Sequence, residues 1–373
     1  MPISRQGIAK CREGHRYQIV AMTSGAKPTW QNNIRSVASD ATGVNHKANN
    51  SKVILGSPAD IRLLSPHLHV TDVRREREML VDVLDHGRLV DNDLVYRQTF
   101  VIRSYEVGFD KIATISTITN LFQETSLNHV GMMNFAGDGM GTTQAMIQNR
   151  LIWIVTRMHI EMMQYPAWGD VVQIDSWVRS SGKNGMRRDF VVRDYSTGCI
   201  LGRATSNWAL MNQDTRRLSK MPTEVRAEIS PFFLERSVME DEEDKAVKRI
   251  PVLDESVPFR ATGLVPKVLD LDMNQHVNHV KYIDWVLECV PQLLLMSREL
   301  RRVTLEYKRE CGESDVVESL AQSDNAIELD DLLSKMTMDS LEFTHSLRLC
   351  NSGVEVLRAC TQWTRKAHNH HHN

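Results

Sequence analysis

Three side chains able to share one reaction stand at alternate positions in the second half of the chain. Asp272, Asn274 and His276 supply a carboxylate, an amide and an imidazole, the last able to exchange protons near neutral pH. An apolar periodicity follows at once. Val277, Val280, Ile283, Leu287 and Val290 recur at three- and four-residue steps, which predicts a helix from Asn278 to about Leu295. Asn274 or Asn278 would cap it, since either offers a side-chain oxygen to unpaired backbone N–H groups. A polar cluster entering a buried helix faces backbone donors and the positive end of the helix dipole. The bland alternative is a capping turn with a solvent-facing histidine. A second segment, Val303 to Gly312, brings Glu310 and Cys311, another carboxylate and a thiol.

The run Asp272-Met273-Asn274-Gln275-His276-Val277-Asn278, followed by Val280-Lys281-Tyr282-Ile283, resembles the signature of plant-type acyl-ACP thioesterases. Val303-Thr304-Leu305-Glu306-Tyr307-Lys308-Arg309-Glu310-Cys311-Gly312 is a second match. Arg103 to Gly108, Tyr165 to Asp170 and Met211 to Leu218 extend the likeness from roughly Leu94 to Trp363. The resemblance implies an α+β chain with a tandem hot-dog fold, two antiparallel sheets each wrapped around a long helix. It implies hydrolysis of long-chain fatty acyl-ACP in the plastid stroma, with acyl carrier protein as partner and no cofactor or metal. It also implies a catalytic set of Asp, Asn, His and Glu, with the cysteine dispensable. Two positions depart from the pattern: His279 stands where the family has Asn, and Asp284 where it has Gly.

Thioester hydrolysis needs a nucleophile at the carbonyl carbon, stabilisation of charge on its oxygen, and a proton for the leaving thiol. Two assignments compete. In one, Cys311 attacks, His276 is its base and Asn274 orients the ring. In the other, Asp272, Asn274, His276 and Glu310 form the site without the thiol. Alternation along a strand from Val303 places Leu305, Tyr307, Arg309 and Cys311 on one face, and Thr304, Glu306, Lys308 and Glu310 on the other. Cys311 then sits among apolar neighbours, where a thiol gives little thiolate, which favours the second assignment. His276 and His279 are three residues apart, but no third metal ligand is visible.

Around these groups the chain reads as six segments. Residues 1–60 are basic, hydroxylated and acid-poor, the composition of an organelle transit peptide or of a disordered tail, and the resemblance implies that the organelle is the plastid. Residues 61–93 read as a connector and 94–235 as a first hot-dog unit. Residues 236–256 hold the acidic block Glu240 to Asp244 and read as an exposed linker. Residues 257–365 repeat the element order, strand, helix, then strands, and 366–373 form a His-rich tail. Two such units in one chain would reproduce the pairing that single-unit relatives achieve as dimers; a homodimer of the whole chain is a further expectation. Gly137 to Gly141 is glycine-rich but follows a helix, so it lacks the strand-then-helix setting of a phosphate loop.

The chain of 373 residues has a net charge of −2, so no global field attracts nucleic acid. Its six scattered cysteines suit a reducing compartment, and no apolar run approaches the length of about 20 residues that a span needs. An acyl tunnel is expected in the first unit from Ile118, Leu121, Phe122, Met132, Met133, Trp153 and Met158, each of which is equally a core residue. Arg187, Arg188, Arg216, Arg217 and Lys220 are expected to dock the acidic carrier. An acyl-CoA thioesterase and a non-catalytic acyl-ACP binding protein are the rival functions. Motifs of the oleoyl-preferring and saturated-acyl classes both occur, so chain preference stays open.

Overall fold

The computed structural model of the chain describes residues 87–133, 141–239, 249–254, 256–273, 275–324 and 338–366. All belong to one unit, Pro66–Asn373. The transit segment, most of the connector, the acidic block, Asn274 and the tail from residue 367 lie outside the described residues.

The first half contributes β1 (Arg88–Val90), β2 (Val95–Val101), α1 (Ile115–Met132), α2 (Gln144–Gln148), β3 (Leu151–Met162), β4 (Val171–Ser181), β5 (Gly185–Asp194), β6 (Ile200–Asn212), β7 (Arg217–Ser219) and α3 (Thr223–Ile229). The second contributes β8 (Phe259–Leu264), α4 (Lys281–Glu288), α5 (Gln292–Ser297), β9 (Arg298–Tyr307), β10 (Val317–Ser323), β11 (Ser340–Leu349) and β12 (Glu355–Arg365). The strands form one antiparallel sheet in the order β1-β2-β4-β5-β6-β3-β9-β12-β11-β10-β8, with β7 on β6. In the first half β2, β4, β5, β6 and β3 are neighbours in that order. In the second, β8, β10, β11, β12 and β9 follow the same sequence of neighbours. The repeat is therefore one of topology, carried without residue-level similarity. The fold is the tandem hot-dog, and its two sheets meet edge to edge through β3 and β9.

That seam is alternating on both faces, as a sheet covered on one side requires. Met158 and Ile160 lie opposite Leu305 and Val303, all buried. On the other face Arg157 pairs with Glu306 at 2.8 Å and Arg302 with Glu161 at 2.8 Å. The core runs unbroken across both halves. Ile118 and Phe122 of α1 pack on Ile174, Phe190 and Val192, with the Phe122 and Phe190 rings stacked at 4.6 Å. Ile283 and Val286 of α4 pack with Val303, Leu305, Phe343 and Leu347. Helix α1 starts where the Thr114 hydroxyl accepts the Thr117 N–H. Its buried Thr119 and Thr125 hydroxyls donate to carbonyls one turn back, so neither polar group is stranded.

Two elements differ from the sequence expectation. The single helix predicted from Asn278 to Leu295 is two short ones. Pro291 has no N–H to donate and its ring excludes the helical conformation before it, so α4 ends at Glu288 and α5 begins at Gln292. The Asn278 side chain does accept the Val280 N–H at 2.9 Å, one residue ahead of α4. The strand expected to run to Cys311 stops at Tyr307. There the N–H groups of Lys308 and Arg309 both bond to the Val356 carbonyl and the chain leaves the sheet.

Candidate active site

The loop before α4 is a tight, cross-bonded turn. Leu271 and Val277 form an isolated bridge, the Asp272 N–H donates to the His276 carbonyl at 2.8 Å, and the Gln275 N–H donates to the Asp272 carbonyl at 3.0 Å. Gln275 sits at φ 64°, in the left-handed region, which closes the turn. The result is that Asp272 and His276 lie across one narrow loop, and the His276 N–H points at Asp272 Oδ1, 3.4 Å away. Asn274, at the tip, lies outside the described residues.

Glu310 reaches this loop from the end of β9. Its Oε2 is 3.4 Å from His276 Nε2. The same carboxylate is held in a two-point fork by Arg216, whose Nε donates to Oε1 at 2.9 Å while Nη2 donates to Oε2. Arg216 Nη2 also lies 3.5 Å from His276 Nε2. Arg216 comes from the turn between β6 and β7, in the first half of the chain. Asn212 Oδ1 accepts the N–H groups of Asp214 and Thr215, Arg150 forks Asp214, and Arg216 takes φ 54°. This preset turn aims the guanidinium across the halves. All three side chains are about one-third to two-fifths exposed, so the ion pairs contribute little to stability, about 1 kcal/mol or less, and their effect is orientation.

Cys311 adjoins Glu310 but faces the interior. It is fully buried, its backbone N–H donates to Tyr282 Oη at 3.0 Å, and burial pushes its thiol up to about 11. Its inward direction follows from the loop packing on Tyr282, since strand alternation ends at Tyr307. A thiol in that state is a poor nucleophile. Cys311→Ala is expected to keep kcat within about twofold of the parent, with a modest loss of thermal stability from the removed buried sulfur. Iodoacetamide should label Cys311 in the folded protein far more slowly than the exposed Cys199 and Cys350.

The two departures from the family pattern find structural places. The His279 ring is half-buried, packs edge-on against Tyr307 at 6.3 Å, and is pushed down to about 4 by burial, with the Asp272 charge opposing. It is neutral at pH 7 and adds no cation beside His276. Asp284 does not reach the site. Its carboxylate accepts from the Ser116 hydroxyl at 2.6 Å and from Lys281 Nζ at 3.3 Å, tying α4 to α1. Among the described residues no group of three or more His, Cys, Asp and Glu side chains is placed to hold a metal ion.

A cavity of about 600 Å³, counting its open mouth, lies between the C-terminal half of α1 and the first half's sheet. Val130, Met133, Trp153, Met186, Trp208 and Phe233 are among its lining residues. Of the seven apolar residues expected to form a tunnel, Met133 and Trp153 line it. Ile118, Leu121 and Phe122 are packed into the core instead, because α1 turns that face onto the sheet; Met158 of β3 packs in the same core, and Met132 is half-buried.

The expected docking cations divide. Arg188 is removed from any surface role: it is 3% exposed, lines the cavity, and donates to His129 Nδ1 at 2.8 Å and Ser176 Oγ at 3.1 Å. Burial pushes its guanidinium down to about 10, so it remains charged at pH 7. Arg187 is half-buried and donates to Asn207 Oδ1 at 2.8 Å. Arg216 belongs to the site. Arg217 and Lys220 are exposed. The role of Arg216 was hidden in the sequence because 94 residues separate it from Glu310; its place in the Met211 to Leu218 motif was the available signal.

A tandem hot-dog chain with an acid, an imidazole and a forked glutamate over one opening has the architecture of a thioesterase. Residues 93–229 match the family model of the acyl-ACP thioesterase N-terminal domain, and 256–365 that of the C-terminal domain. The chain is 47% identical over 292 residues to the palmitoyl-acyl carrier protein thioesterase, chloroplastic, of Arabidopsis thaliana, covering 78% of this chain and 69% of that one. It is 45% identical over 297 residues to oleoyl-acyl carrier protein thioesterase 2 of the same plant, covering 77% and 81%. Among solved structures, the 12:0-ACP thioesterase from Umbellularia californica aligns with a TM-score of 0.67 and 44% identity over 73% of this chain and 95% of that one. The chain belongs to the acyl-ACP thioesterase family and is a thioester hydrolase.

Proposed function

We propose that this site hydrolyses long-chain fatty acyl-ACP to free fatty acid and ACP, the step that terminates plastid fatty acid synthesis, with Asp272, His276, Glu310 and Asn274 as its working groups. The observation that carries the assignment is the 3.4 Å approach of His276 Nε2 to Glu310 Oε2, between two segments more than thirty residues apart. In the proposed sequence, Glu310 and His276 take a proton from a water placed between them and the acyl carbonyl. The water oxygen adds to the carbonyl carbon, the C–S bond breaks, and the proton passes to the departing pantetheine sulfur. Asp272 lies across the loop from His276 and faces its backbone N–H, where it is proposed to hold the loop that presents the imidazole. Asn274 is proposed to face the carbonyl oxygen, the polar role its amide suits. Cys311, buried and protonated, stays out of the reaction.

The acyl chain is proposed to occupy the cavity under α1, whose lining is mainly apolar and includes Val130, Met133, Trp153 and Phe233. Val130→Phe fills that space from the helix side. It is expected to raise KM for oleoyl-ACP several-fold while sparing lauroyl-ACP, read from steady-state rates on both. The curated relatives are chloroplastic, which supports a plastid location; the stroma, where soluble ACP circulates, is the finer proposal. Both sides of the site come from one chain, so the activity requires no second copy, and a homodimer is a proposal to be read by sedimentation. The deciding assay gives the purified chain oleoyl- and palmitoyl-ACP beside the matching CoA esters. Fast release from ACP is expected; release from CoA alone, or binding without turnover, overturns the reading.

A further inference from the structure

Four of the six most exposed large apolar side chains among the described residues stand on the two segments that meet at Arg216 and His276. Leu269 is 95% exposed, Val268 76%, Met273 70% and Leu218 69%. The display is built by the backbone. The Asp270 N–H donates to the Lys267 carbonyl at 2.8 Å, the Lys267 N–H to Asp270 Oδ2 at 2.9 Å, and the Asn278 N–H to the Asp270 carbonyl at 2.8 Å. Lys281 Nζ adds an ion pair to Asp270 at 3.6 Å. These bonds fix a single turn, Val268–Asp270, that holds Val268 and Leu269 outward. Leu218 projects from β7, held in register against Met211 of β6.

These two segments flank the site. Arg216 contacts both His276 and Glu310, so the turn carrying Arg216 and the loop carrying His276 are its two walls. Leu218 is two residues beyond Arg216 and Met273 three before His276, within about 10 Å along each chain. Exposed cations share the rim: Arg217, Lys220, Lys267 and Arg309. Of the acids there, Glu310 is forked by Arg216, Asp214 by Arg150, and Asp270 pairs with Lys281, while Asp272 faces the His276 N–H. Apolar surface held out to water with a positive border marks a protein contact and suits an acidic partner with an apolar centre.

The rival exposed pair, Tyr105 and Phe109, sits elsewhere. Lys366 lies over the Phe109 ring at 5.1 Å and its N–H reaches the Ser297 carbonyl, at the opposite end of β9 from Glu310. Ten strand residues separate those ends, about 30 Å. A carrier landing there could not present its thioester to His276.

We propose that Val268, Leu269, Met273 and Leu218, bordered by Arg217, Lys220, Lys267 and Arg309, form the landing surface for the acyl carrier protein. It replaces the docking role expected of Arg187 and Arg188. The proposal rests on the reading of the site as an acyl-ACP hydrolase. The surface is small and its border solvated, which suits a partner that must leave after each turnover.

The test is steady-state kinetics of the full chain and of Leu269→Glu, Val268→Ser and Leu218→Glu, on oleoyl-ACP and on the oleoyl thioester of N-acetylcysteamine, which carries no protein. Leu269→Glu is expected to raise KM for oleoyl-ACP about tenfold, with kcat and turnover of the small thioester unchanged. Leu218→Glu, on the other wall, should do the same, and KM of the parent should climb with added NaCl. Unchanged KM in both Glu variants overturns the proposal. So does an equal loss on both substrates, which would mean a damaged site loop. Loss of co-sedimentation with anionic lipid vesicles at unchanged KM would assign the lip to a membrane and overturn it as well. A parent that hydrolyses neither substrate would instead sink the functional reading beneath it.

Discussion

His276→Ala is expected to lower kcat on oleoyl-ACP by about 10²–10⁴-fold, with KM for the carrier-bound substrate little changed. An imidazole can both take a proton from water and give one to a departing thiolate, which the guanidinium beside it cannot. Its Nε2 lies between Glu310 Oε2 and Arg216 Nη2, at 3.4 and 3.5 Å. The partners remain after truncation, but without the ring between them Glu310 can no longer pass the water's proton on to the departing sulfur, and a guanidinium does not give one up. The side chain is over one-third exposed, so its removal should leave the melting temperature within a few degrees of the parent. The control is Cys311→Ala. Both variants are measured under single-turnover conditions, so that slow product release does not mask the chemistry. A dead, folded Cys311→Ala with an active His276→Ala would reverse the assignment of roles.

Arg216→Ala is expected to cut kcat by about 10–10²-fold, the scale at which a misplaced catalytic group is felt. Glu310 leaves the sheet three residues after β9 ends, on a loop with two-fifths of its side chain in water. Nothing in its own backbone holds it toward His276. The Arg216 fork does, because two parallel N–H donors fix both oxygens of the carboxylate at once. Arg216→Lys keeps the charge and loses the fork, so it should recover only part of the rate. Millimolar guanidinium chloride should restore activity to Arg216→Ala but not to Arg216→Lys, whose ammonium fills the space. A purely structural role predicts no rescue, and equal kcat in Arg216→Ala and the parent would remove Arg216 from the site.

These two variants sit on either side of what could be read without coordinates. The acid, the imidazole and the helix behind them were legible because they are close in sequence and the apolar spacing is regular. Glu310 was legible through the resemblance, and alternation put it opposite Cys311. The same outcome holds for another reason, since β9 has already ended and Cys311 turns inward beneath Tyr282. Arg216 and Arg188 were both read as surface cations, because a pair of arginines in a polar motif carries no mark of burial. The sheet turns Arg188 toward α1 and His129, and the β6–β7 turn throws Arg216 across to the other half. Pro291 was visible in the sequence, yet the periodicity on both sides of it continued in phase and concealed the break.

By itself the sequence determined the local elements: the alternation of the strand from Val303, and the Asp-x-Asn-x-His run with the apolar helix behind it. Each rests on interactions spanning a few residues, so each is written in short stretches of chain. Tertiary structure alone decided that β3 and β9 join two half-sheets into one, and which of several apolar residues face a cavity. It alone brought a guanidinium from one half onto a glutamate from the other. Those outcomes depend on which faces meet once the core closes, and no spacing along the chain encodes a contact 94 residues long.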